Sequence, residues 1–153
     1  MKALPALAAL LVTVSAAAEE SASSPLPALT IEAAAISVMG VSSGGYMATQ
    51  LAVAWPERFS GLAVFAAGPW GCAQGALSRA KTQGMETRLG LPDLAELARR
   101  YAQYLDNDRV GDPAALAEQR VYLWHGENDD VIDPRLEELL AEQYRDWLAD
   151  SEA

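Results

Sequence analysis

One cysteine and one histidine are all that the 153 residues supply of the two commonest soft and borderline metal ligands. No structural zinc site built from several Cys and His ligands is therefore possible. Basic residues are scarce too: 11 Lys and Arg face 21 Asp and Glu, for a formal charge of −10. Nucleic-acid binding and docking on an anionic membrane both need clustered cations, and neither is supported here. Aromatic residues make up only 7% of the chain. The hydrophobic share is 51%, which excludes a disordered solvating chain, although 30 of those residues are alanines with little side chain to bury. The length suits one domain. Any Ser-His-Asp chemistry has only His125 to draw on.

The first residues have the pattern of an export signal. Lys2 is a short positive start, Leu4 to Val14 is apolar, and Ser15-Ala16-Ala17-Ala18 offers small residues for cleavage after Ala18. The apolar run is too short to span a bilayer, which takes about 20 residues. The expectation is a signal peptide over 1–18, a Pro- and Ser-containing linker over 19–28, and a folded domain over 29–153, secreted or periplasmic, with no integral membrane anchor after cleavage. Removing 1–18 takes away Lys2 and no acid, so 10 basic and 21 acidic residues remain, or −11. In an oxidising compartment the unpaired Cys72 is unusual and is expected to be a free thiol open to intermolecular disulfides.

The remainder alternates strand and helix. A β-branched and apolar stretch from Leu29 to Met39 stops at Gly40, and Tyr46 to Trp55 has helical spacing that ends at Pro56. Gly61 to Ala67 is a continuous apolar run, as expected of a strand buried on both faces. The segment from Cys72 to Pro92 has no clear period and reads as loop. Pro92-Asp93 opens a helix to about Leu105, with Leu94, Leu97, Ala98, Tyr101 and Leu105 inward. Arg120 to Trp124 is a third strand, and Pro134 starts a last helix striped with Leu136, Leu139, Leu140, Tyr144, Trp147 and Leu148. This alternation predicts an α/β fold: three parallel strands in the order 31–39, 61–67, 120–125, sandwiched by helices, with the first strand an open edge.

Gly40-Val41-Ser42-Ser43-Gly44 fits G-x-S-x-G directly after a strand and before a helix. Such a turn lifts a serine hydroxyl above the sheet and points the next backbone N–H to where an oxyanion forms. The spacing favours Ser42 as nucleophile and Ser43 as oxyanion donor, with Ser43 the alternative nucleophile. After the third strand, His125-Gly126-Glu127-Asn128-Asp129-Asp130-Val131-Ile132 fits a loop that carries the acid of a catalytic triad. Spacing selects Asp129, with Asp130 as runner-up, and Asp133-Pro134 as a helix cap. No cofactor is expected.

The stretches Ile36 to Ala54 (ISVMGVSSGGYMATQLAVA), Val64 to Ala73 (VFAAGPWGCA) and Val121 to Ile132 (VYLWHGENDDVI) together resemble exported poly(3-hydroxybutyrate) depolymerases. The resemblance runs from about residue 29 to 145. It implies a partial, circularly permuted α/β-hydrolase and a serine esterase that cleaves 3-hydroxyalkanoate polyester or its oligomers. It matches Ser42 to the nucleophile, Asp129 to the acid, and Cys72 to a cysteine that pairs with a distant C-terminal one. The same motifs resemble feruloyl and acetylxylan esterases, the alternative within the esterase class. The departure lies at the other end: the family's base histidine, second cysteine and further strands fall beyond residue 153. A truncated, non-catalytic hydrolase-like chain is thus the second expectation, with His125 a structural histidine.

Overall fold

The computed structural model describes residues 27–32 and 35–150. The expected signal peptide, and all of the expected linker except its last two residues, lie outside the described residues. Three strands, β1 (Ser37–Val41), β2 (Gly61–Phe65) and β3 (Arg120–Trp124), form one parallel sheet in the order β1-β2-β3. This is the order expected from the sequence. β1 starts later than expected because β2 supplies partners only from Gly61 onward, opposite Ser37. It also continues through Gly40 to Val41, which pairs with Phe65.

Register assigns the two faces. Val38, Leu62 and Val121 form one row and Gly40, Val64 and Leu123 the next, all on the same side. Helix α1 (Ser43–Ala54) lies on that side, and its small residues Ala48, Ala52 and Val53 are completely buried with Leu62 and Val64. Helix α5 (Arg135–Trp147) adds Leu140 and Tyr144 to the same core, and Leu116 of the short helix α4 (Pro113–Ala117) joins them. Asp112 caps α4 by accepting the Ala114 N–H at 2.9 Å, with Pro113 in the first turn.

The other face holds Met39, Ala63 and Tyr122 in one row and Val41, Phe65 and Trp124 in the next. Met39 is 68% exposed, Val41 62%, Tyr122 57% and Trp124 53%. The expected sandwich is therefore corrected: among the described residues the helices cover one face only, and β2 is buried on one side. An apolar run such as Leu62-Ala63-Val64-Phe65 carries no mark of which side will be covered.

Two further elements stand beside this core. Helix α2 (Leu77–Gly84) occupies the stretch expected to be loop; only Gly84 of it is buried, so no apolar stripe betrays it. Helix α3 (Leu94–Leu105) begins as expected, with Asp93 accepting the Ala95 N–H at 2.8 Å. It buries Leu97 and sets Tyr101 and Tyr104 edge-on to Trp70 at 5.8 and 5.6 Å, whereas Ala98 faces solvent. No described helix is long and apolar enough to cross a membrane.

Candidate active site

Ser42 sits between the last residue of β1 and the first of α1, with φ 54° and ψ −124°. A non-glycine residue rarely occupies this region, and the surrounding contacts hold it there. Its N–H donates to the Phe65 carbonyl at 2.9 Å, and its own carbonyl accepts the Tyr46 N–H at 3.1 Å. Ser43 is instead the first residue of α1. The chain therefore reverses at Ser42, the residue that the spacing favours, and the positive end of the α1 dipole lies directly after it.

The glycines around the turn have unequal duties. A β-carbon on Gly40 would overlap the Gly44 carbonyl and come within 2.7 Å of the Gly45 nitrogen. One on Gly45 would come within 2.9 Å of the Ala67 β-carbon and 3.1 Å of Val64. One on Gly44 would meet nothing within 4 Å. The close approach of strand and helix thus depends on Gly40 and Gly45, and the second glycine of the pattern itself stands in open space.

Asp129 follows β3 by five residues, on the same edge of the sheet as Ser42. One strand intervenes, so the ends of β1 and β3 are about 10 Å apart. Its Oδ1 accepts the N–H groups of Val131 at 2.9 Å and Ile132 at 3.0 Å, and Oδ2 lies 3.3 Å from His125 Nε2. These backbone hydrogen bonds, Ile132's first, hold its carboxyl below the usual carboxylate range, with His125 a lesser contributor. Asp133 caps the start of α5 through the Arg135 N–H at 3.1 Å, as expected, and also accepts the Thr87 hydroxyl at 2.6 Å.

His125 is packed, with its side chain 8% exposed. Nδ1 lies 3.1 Å from Glu137 Oε2, and Nε2 donates to the Ile132 carbonyl at 3.0 Å. Both ring nitrogens are occupied, which fits the structural role expected of it. Glu137 was not foreseen. It lies on the inner face of α5, where its carboxylate accepts the N–H groups of Ala67 at 3.0 Å and Trp124 at 3.1 Å. Burial pushes its carboxyl up, against these hydrogen bonds and His125. Gln143 does the same one helical face further on, exchanging hydrogen bonds with the Trp70 backbone. Both polar residues stand among apolar ones because backbone groups past the end of β2 would otherwise be buried without partners.

Ser42 and Ser43 open onto a cavity of about 570 Å³, walled by Met47, Trp70, Met85, Tyr104 and Ile132 among others. Cys72 lines it too but is only 3% exposed, and burial pushes its thiol up to about 11. The expected disulfide hazard is therefore corrected for the folded chain: the thiol is free, but buried and protonated. No group of three or more potential metal ligands occurs among the described residues.

No family model matches the chain. It is 33% identical over 120 residues to a polyhydroxybutyrate depolymerase of Talaromyces funiculosus, covering 78% of this chain and 34% of the relative. It is 35% identical over 127 residues to a poly(3-hydroxybutyrate) depolymerase of Delftia acidovorans, covering 80% of this chain and 25% of the relative. The crystal structure of a PHB depolymerase from Penicillium funiculosum superposes with a TM-score of 0.70 at 29% identity, over 84% of this chain and 39% of that one. The chain thus spans about a quarter to two fifths of the length of the proteins it matches. Over that part of their length, the chain is similar in sequence and in α/β-hydrolase architecture to polyhydroxybutyrate depolymerases.

Proposed function

We propose that this chain carries the nucleophile-bearing segment of a secreted serine hydrolase for 3-hydroxybutyrate polyester or its oligomers. The observation that carries this is the backbone of Ser42, held at φ 54° and ψ −124° on the rim of an apolar cavity. A backbone strained at a single serine, at a strand-helix junction, presents that hydroxyl to a bound ester. In the proposed reaction Ser42 Oγ bonds to the ester carbonyl carbon, and the tetrahedral oxyanion is stabilised by the Ser43 N–H at the start of α1. The bond from carbon to the alkoxide oxygen then breaks, and the serine proton leaves with the alcohol. Water repeats the sequence on the acyl-serine to free the acid.

Proton transfer needs a base between Ser42 and the alcohol, and Asp129 is proposed to orient it. His125 is committed to Glu137 and Ile132 and is assigned no part. The deciding experiment compares hydrolysis of (R)-3-hydroxybutyrate oligomers with that of feruloyl and acetyl esters. The comparison uses this segment joined to the remaining two thirds of a homologous depolymerase. Preference for the hydroxybutyrate oligomers, lost in Ser42→Ala, is expected; preference for feruloyl esters would move the chain to the alternative esterase class.

A further inference from the structure

The cavity beside Ser42 has one ionised lining residue, Arg100. The other titratable groups lining it are Cys72, Tyr46 and Tyr104, and burial pushes the Cys72 thiol and the Tyr46 phenol upward. A lone cation in a chain of net charge −10 is a selective feature. Arg100 is also poorly satisfied. Its Nη2 donates to Gln74 Oε1 at 2.9 Å, its Nε is buried without a partner, and no described carboxylate pairs with it. The nearest acid along α3, Glu96, is engaged elsewhere: it lies 3.7 Å from Arg79 and accepts from Gln74 Nε2 at 2.8 Å. That second bond turns the Gln74 carbonyl toward Arg100 and leaves the rest of the guanidinium fork free.

A buried donor on a charged group calls for an acceptor, and a planar fork matches a carboxylate. The surrounding wall, with Met47, Met85 and Trp70, is apolar. We infer that this cavity binds an amphipathic carboxylate, with the anionic end on Arg100 and the hydrocarbon body against the methionines and Trp70. The inference rests on the proposed hydrolase only for what it adds there: an oligoester would be held by its free acid end while a nearer ester reaches Ser42. The chain would then act on oligomer ends rather than on the polymer interior.

The test measures binding of sodium octanoate and of neutral octanamide to the purified chain, by tryptophan fluorescence and by thermal shift. Octanoate is expected to bind saturably, at least about tenfold more tightly than octanamide, and to weaken with added salt. Arg100→Met should abolish the difference while leaving octanamide binding intact, which also shows that the cavity still folds. Arg100→Lys, keeping charge but losing the fork, should fall between. Equal affinity for the two ligands, no saturable octanoate binding, or unchanged octanoate affinity in Arg100→Met would each overturn the inference. Ser42→Ala should bind octanoate like the parent chain. With this segment joined to the remainder of a homologous depolymerase, absent turnover with intact octanoate binding would therefore sink the hydrolase alone, and Ser42-dependent turnover without octanoate binding would sink the carboxylate site alone.

Discussion

Nδ1 of His125 lies 3.1 Å from Oε2 of Glu137, and both side chains are 8% exposed. The pair ties the end of β3 to α5 and holds the ring of His125. The 153-residue chain alone is accordingly expected to hydrolyse a short p-nitrophenyl ester at a rate equal to that of Ser42→Ala. Loss of one triad member typically costs a factor of about 10⁴ or more. Robust turnover abolished by both Ser42→Ala and His125→Ala would make His125 the base. His125→Ala should also lower the melting temperature, because it strands a buried carboxylate.

Ser42→Gly should stabilise the fold. Relief of a strained backbone is worth roughly 1–3 kcal/mol, and the added unfolded-state freedom of glycine takes back roughly 0.5–1. A net gain of about 1 kcal/mol is expected in urea unfolding. A loss of stability would show that the Ser42 backbone is not strained.

Gly40→Ala and Gly44→Ala should separate sharply. The first drives a methyl group into the backbone of Gly44 and Gly45, so its cost should reach or exceed the upper end of overpacking, about 3 kcal/mol. The second meets open space and removes chain entropy, so it should be neutral or stabilising by up to about 1 kcal/mol. Equal unfolding midpoints for the two variants would contradict the close packing of β1 on α1.

Acid should weaken the fold from about pH 4 downward. Asp133 is held well below the usual carboxylate range, chiefly by the Arg135 guanidinium, and Asp129 is held below it by backbone N–H groups. A depressed carboxyl contributes stability above its unfolded pKa and loses it as pH falls through the folded value. Glu137, pushed upward by burial, acts in the opposite sense: its contribution is present at low pH and fades as pH rises through its folded value. Urea midpoints across pH 2–6 should drop for the parent chain and drop less for Asp133→Asn. Added salt should shrink the Asp133 share, since Arg135 is exposed.

Among the described residues one sheet face is uncovered and the outer edge of β1 is unpaired, so the isolated chain should self-associate. Light scattering should show mass rising with concentration, and Val41→Lys with Tyr122→Lys should reduce it without loss of the melting transition. A sharp monomer at high concentration for the parent chain would contradict this.

Strand order, the turn at Ser42, the helix starts at Asp93 and Asp133 and the stripe of α5 were all legible in the sequence, because each follows from local periodicity or from chemistry between near neighbours; the Asp112 cap of α4 was not. Spacing selects Asp129 over Asp130, and the two backbone hydrogen bonds of Asp129 to Val131 and Ile132 are themselves local. What the sequence could not contain is the pairing of groups distant in the chain. Glu137 and Gln143 are buried because Ala67, Trp70 and Trp124 present backbone N–H groups and carbonyls to them across some 13 to 73 residues. The same distant contacts decided that His125 is a strut and that Arg100 faces the Ser42 cavity. They also left Phe65 and Trp124 on an uncovered face, since hydrophobic patterning sets which side chains share a side, and only tertiary packing sets what covers it.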